Sequence, residues 1–138
     1  GEDLFTPYES LAWVTDLGFA TELVREKIRG AQILVLESNY DEVLLDQDPR
    51  RPWSLKQRIK GRHGHLSNKE ALALLEAVES PSWRNVFLAH LSKDCNRVDR
   101  VTETFSTFSR KGCDLFVVNP RNGDLISIPV PSGTGTYG

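Results

Sequence analysis

Apolar residues along the chain come in short blocks of two kinds, strand-length runs and helically spaced sets, and their alternation predicts an α/β fold. Residues 11–15 (Leu-Ala-Trp-Val-Thr) form a short apolar strand that stops at Asp16 and Gly18. Thr21 stands where an N-cap belongs, and the spacing predicts a helix from there to about Arg29, ended by Gly30. Residues 32–36 read as a strand covered on both faces, which delivers Glu37, Ser38, Asn39 and Asp41 to its C-terminal end. A loop or short helix is expected across Pro49 and Pro52. Ser67 or Asn68 caps the next helix, with Ala71, Leu72, Leu74, Leu75 and Val78 on its apolar face and Pro81 closing it. Residues 85–89 make a strand that ends at His90, and residues 96–110 a helix carrying Val98, Val101, Phe105 and Phe108, with Gly112 as its C-cap. Strands at 114–118 and 125–130 flank Pro120-Arg121-Asn122-Gly123, where Asn-Gly is a hairpin signal. With no internal repeat and no linker, one α/β unit is expected over residues 1–130, followed by a flexible tail at 131–138.

Composition narrows the class. A chain of 138 residues with 39% apolar content suits one domain with a real core. Without an apolar run near the roughly 20 residues of a membrane span, or a basic-then-apolar leader, the expected setting is soluble and cytoplasmic. Cys95 and Cys113 lack CxxC spacing, which argues against a disulfide framework or a cysteine zinc site.

The net charge of −2 matters less than its distribution. Between Pro49 and Lys69 lie seven basic residues, Arg50, Arg51, Lys56, Arg58, Lys60, Arg62 and Lys69, and no acidic one. Such a stretch can follow a phosphate backbone, with guanidinium groups gripping phosphates and Trp53 stacking on a base or ribose. The plain alternative is a solvated face beside the acidic residues of 37–48.

Three short motifs carry candidate chemistry. Asp16 follows an apolar strand in a Gly-bearing turn, where a carboxylate can bridge two cations or simply cap the turn. His90 follows a buried strand, where a neutral imidazole can ligate zinc or sit satisfied in the core. His65 lies just ahead of a helix N-terminus, where it can donate to a phosphoryl oxygen or a leaving group. His63 shares an HxH spacing with His65 but reads as part of the basic surface. Glu37, Asn39 and Asp41 read either as support for His65 or as loop caps.

Read in order, these motifs resemble the C-terminal half of the metallo-β-lactamase fold superfamily. The closest likeness is to its nucleic-acid-processing branch, the YycJ-like metallohydrolases, with a more distant similarity to tRNase Z. The resemblance rests on Val14-Thr15-Asp16-Leu17-Gly18, Leu34-Val35-Leu36-Glu37-Ser38-Asn39-Tyr40-Asp41, Lys56-Gln57-Arg58-Ile59, Gly64-His65-Leu66-Ser67-Asn68 and Leu88-Ala89-His90-Leu91-Ser92, and runs from about Ser10 to Val130. It implies half of an αββα sandwich, a mixed sheet with flanking helices. It also implies that Asp16 bridges two divalent ions, zinc or manganese, that His90 holds one of them, and that His65 acts beside the scissile phosphate.

The family's HxHxDH motif belongs to the other half and is not in these 138 residues. Asp16 and His90 are too few to close a dinuclear site, since a catalytic zinc keeps about three protein ligands. The expectation is a half-site that is inactive, and able to lack metal, unless an N-terminal half or a complementing chain supplies the rest. A homodimer through an exposed sheet face is the other way to cover it. The activity implied for the complete protein is phosphodiester hydrolysis of DNA or RNA. A metallohydrolase half for small esters or thioesters and a non-catalytic assembly half are the alternatives.

Overall fold

A computed structural model describes residues 10–18 and 20–129; the expected tail at 131–138 and the start of the expected unit lie outside the described residues. The elements run β1 (Leu11–Val14), α1 (Glu22–Arg29), β2 (Ile33–Glu37), α2 (Glu42–Asp46), α3 (Trp53–Lys60), α4 (Asn68–Ala77), β3 (Asn85–Ala89), α5 (Val98–Thr104), β4 (Asp114–Val118) and β5 (Leu125–Ser127). The five strands form one sheet in sequential order, parallel from β1 to β4 and closed by the antiparallel β4–β5 hairpin. This is a mixed α/β fold. Among the described residues no helix is long and apolar enough to cross a membrane.

Strand alternation gives the sheet two different faces. On one, Val14, Leu36, Leu88, Val117 and Ile126 align across the register. Leu36, Leu88 and Val117 are fully buried there, packed with Ile28 of α1, Leu74 and Leu75 of α4, and Val101 and Phe105 of α5. The opposite face carries the row Trp13, Val35, Phe87, Phe116 and Ser127. Phe87 and Phe116 stack at 5.3 Å, while Leu11 and Trp13 are 60% and 66% exposed. A second, small apolar cluster of Tyr40, Leu45 and Cys95, with Ile59 against it, sits beneath α2 and α3.

Local chemistry explains the boundaries. Thr21 accepts from the Val24 N–H at the start of α1. Ser67 and Glu70 form a reciprocal capping box on α4, a device worth about 1 kcal/mol. Several sequence expectations need correction. The short helix expected across Pro49 and Pro52 is α3, opened by Pro52, but α2 ahead of it was not expected; Asp41 caps it through the Leu44 N–H. α4 ends at Ala77, ahead of Pro81, because the backbone at Val78 is already extended. The helix expected over 96–110 is confined to Val98–Thr104; Phe105 and Phe108 reach the core from a turn, and Gly112 lies beyond it and not at the helix end. β5 stops at Ser127, short of Val130.

Candidate metal centre at the sheet edge

Open α/β sheets place ligands beyond the C-terminal ends of their parallel strands, and there four side chains converge. Past β1 the chain turns through Asp16 at φ 58°, and past β3 through His90 at φ 60°. A non-glycine residue in the left-handed region costs about 1–2 kcal/mol, and such conformations persist where surrounding structure enforces them, often at functional sites. Between these turns lies Glu37, the last residue of β2, paired in register with Ala89 and so facing the same side as Val35 and Phe87.

Glu37 is fully buried, and a buried carboxylate needs several polar partners. It has three. One oxygen accepts from the Asp16 backbone N–H at 2.7 Å; the other lies 2.7 Å from His65 Nδ1 and 2.6 Å from His90 Nδ1. Asp16 Oδ1 stands 3.5 Å and 3.9 Å from the same two nitrogens. The four residues offer ligand atoms that all lie within 4.8 Å of one another.

The loop carrying Asp16 is stitched to the loop carrying His65 by close backbone contact. Gly18 N–H donates to the Arg62 carbonyl at 3.1 Å, and a Cβ at Gly18 would lie 1.7 Å from the Gly61 oxygen. A Cβ at Gly64 would lie 2.0 Å from the carbonyl oxygen of Ile59, which accepts from His65 N–H. Only glycine fits at either place. Asn39 donates through Nδ2 to the His90 carbonyl at 2.8 Å and through its backbone N–H to the Leu66 carbonyl at 2.9 Å. Asp41 caps α2 through the Leu44 N–H and faces Arg100 at 3.6 Å. Behind the site Ser38, Asn68 and Asn96 form a buried hydrogen-bonded network that ties the end of β2 to α4 and to the segment before α5.

The basic stretch is less free than its sequence implies. Arg50 and Arg51 both grip Asp48 and both approach Asp94; Lys60 pairs with Asp46 at 2.6 Å and Lys56 donates to the Asp46 carbonyl. Trp53 is 75% exposed, and Arg58, Arg62, His63 and Lys69 are exposed as well. Of the stretch's cations, Arg51 lines the cavity of about 270 Å³ that also takes in Asn39, His65, His90 and Ser92. The carboxylates of residues 46–48 that hold these cations are the part of the local pattern that a count of basic residues misses.

The Asp48 clasp has a pH signature. The Arg50 backbone N–H, then the Arg50 and Arg51 side chains and the Cys95 thiol, hold the Asp48 carboxyl well below its ordinary 3.8 despite an opposing effect of burial. Burial and Asp48 push the Cys95 thiol up. A lowered folded-state value means that the clasp's contribution is complete above the ordinary value and is lost as pH falls below it. The urea midpoint is therefore expected to drop more steeply below about pH 4 in the parent than in an Asp48→Asn variant. Parallel acid limbs would show that Asp48 contributes nothing to acid stability.

Two imidazoles and two carboxylates brought together at a parallel sheet edge define a candidate metal-binding site. The chain is 38% identical over 86 residues to an exodeoxyribonuclease YycJ of Bacillus anthracis, a match covering 62% of this chain and 32% of that protein. It is 30% identical over 88 residues to an exodeoxyribonuclease WalJ of Streptococcus pneumoniae, covering 64% of this chain and 32% of the relative. Over that stretch the chain is a homologue of the YycJ/WalJ proteins, the group that its motifs resemble. It spans about a third of the length of these curated relatives. No protein-family model matches the chain.

Proposed function

We propose that Asp16 and His90 are protein ligands of a two-metal centre that hydrolyses the phosphodiester backbone of DNA, and that Glu37 orients both His90 and His65. The observation that carries this is the convergence of Asp16, Glu37, His65 and His90 within 4.8 Å in a homologue of exodeoxyribonucleases. The compactness of the set means that small rotamer adjustments bring its donors onto a cation. A divalent ion held there would supply Lewis acidity to the phosphoryl group and activate the attacking water.

The chain's own residues account for the rest. Asp16 and His90 would hold the ions, and His65 stands over the substrate phosphate to donate a proton to the leaving oxygen. Arg51 on the cavity wall is already held by Asp48 and Asp94, while Trp53 and Arg58 are exposed. These ligands are fewer than two ions require, so further ligands are needed beyond the described residues. The sheet face of Trp13, Val35, Phe87 and Phe116, on which Trp13 is exposed and the two phenylalanines are half-buried, fits a sheet that packs against a second sheet in an αββα sandwich. The same face accommodates an upstream half or a complementing chain.

The test is release of nucleotides from end-labelled DNA by the purified protein that carries this chain, with manganese or zinc and with excess chelator. Release that requires the metal and stops in chelator is expected. Undiminished release in chelator would remove the metal-centre proposal, and turnover confined to small esters and insensitive to salt would replace DNA as the substrate.

A further inference from the structure

β3 and β4 end side by side, and the loops leaving them wall a second groove of about 360 Å³ beside the cavity of His65 and His90. Cys95 lines one cavity and Asn96 the other, so residues 92–96 partition the two. Lys93, Asp94, Arg97, Asn119 and Arg121 line the groove. Its charge is one-sided. The acid in the wall, Asp94, already faces Arg50 at 3.6 Å and Arg51 at 3.5 Å. Lys93 and Arg121 are exposed and carry no ion pair among the described residues. Arg97 engages Asp99 through Nε alone, which leaves its two terminal nitrogens for a further anion.

We propose that this groove holds the phosphodiester backbone of a nucleic-acid strand whose scissile phosphate lies at His65 and His90. Three exposed cations along an open groove suit an extended polyanion, since a single phosphate would need buried, convergent donors. Lys93 follows His90 by three residues, so a strand lying in the groove leads directly to the site. The inference rests on the phosphodiesterase proposal and adds a place for the strand: the β3–β4 edge, where cations are unpaired, in preference to the stretch from Arg50 to Arg62, where carboxylates of the same chain occupy several of them.

The test compares the parent protein with a Lys93→Ala/Arg97→Ala/Arg121→Ala variant. Binding of a fluorescent single-stranded oligonucleotide is measured across a potassium chloride series, with KM for DNA, hydrolysis of the small diester bis(p-nitrophenyl) phosphate, and metal content. The expected slope of log affinity against log salt is shallower by about 2, with KM for DNA raised about tenfold. Small-diester hydrolysis and metal content stay at the parent level. An unchanged salt slope and KM, with small-diester hydrolysis intact, would overturn the groove assignment. Loss of small-diester hydrolysis in the variant would overturn it too, by placing these residues in the reacting site. A parent that hydrolyses neither DNA nor the small diester would instead overturn the phosphodiesterase proposal on which the groove depends.

Discussion

Replacing His90 by glycine is expected to cut metal-dependent hydrolysis at least about 100-fold while leaving stability within about 1 kcal/mol of the parent. The hydrolytic loss follows from removing a proposed ligand. The small stability effect follows from the backbone. His90 sits at φ 60° with its side chain 49% exposed, and a side chain in the left-handed region costs about 1–2 kcal/mol that glycine does not pay. Against this stand a lost hydrogen bond to Glu37, about 1 kcal/mol, and the greater unfolded-state freedom of glycine, about 0.4–1 kcal/mol. His90→Ala loses the ring and keeps the strain, so it should be less stable than His90→Gly by about 1 kcal/mol. Denaturant midpoints on the two variants, measured beside hydrolysis, check both parts. An alanine variant as stable as the glycine variant would mean that the turn stores no strain.

The second large effect is on the fold. Phe105 is fully buried beneath the sheet, edge-on to Phe108 at 6.5 Å, and Phe105→Ala is expected to cost about 3–5 kcal/mol. That is a large part of the 5–15 kcal/mol that typically separates folded from unfolded domains. A fall in the urea midpoint at constant m-value would report it, whereas a loss under about 1 kcal/mol would mean that Phe105 packs far more loosely than its burial implies.

Both effects involve residues whose importance can be read in the sequence, though for different reasons. Phe105 belongs to a helically spaced apolar set, and burial follows from that spacing even though the helix ends at Thr104. β3 and β4 were legible to the residue, because continuous apolar runs bounded by polar residues leave little choice of register. α2 was not legible. It has five residues, and its start depends on Asp41 turning its side chain to the Leu44 N–H, a choice that composition does not reveal.

At the site, Asp16, His65 and His90 stand out as polar residues at element ends, and the structure brings all three together around Glu37. The central position of Glu37 could not be read from spacing. The sequence leaves open which side of the sheet the last residue of a buried strand faces, and only its register with Ala89 and the positive-φ turns on either side of it make Glu37 the shared partner. The opposite error affects the basic stretch. Its charges are local in sequence, but Asp46, Asp48 and Asp94, from outside it, return to pair with them. Lys93, Arg97 and Arg121 are scattered in sequence and become neighbours only because β3 and β4 end side by side.

The most direct test of the central claim is metal content by plasma mass spectrometry on the purified protein that carries this chain, compared with its Asp16→Ala/His90→Ala variant. About two equivalents of zinc or manganese in the parent, falling below about one in the folded variant, is the expected result. Equal metal content in the two proteins would contradict the assignment of Asp16 and His90 as ligands.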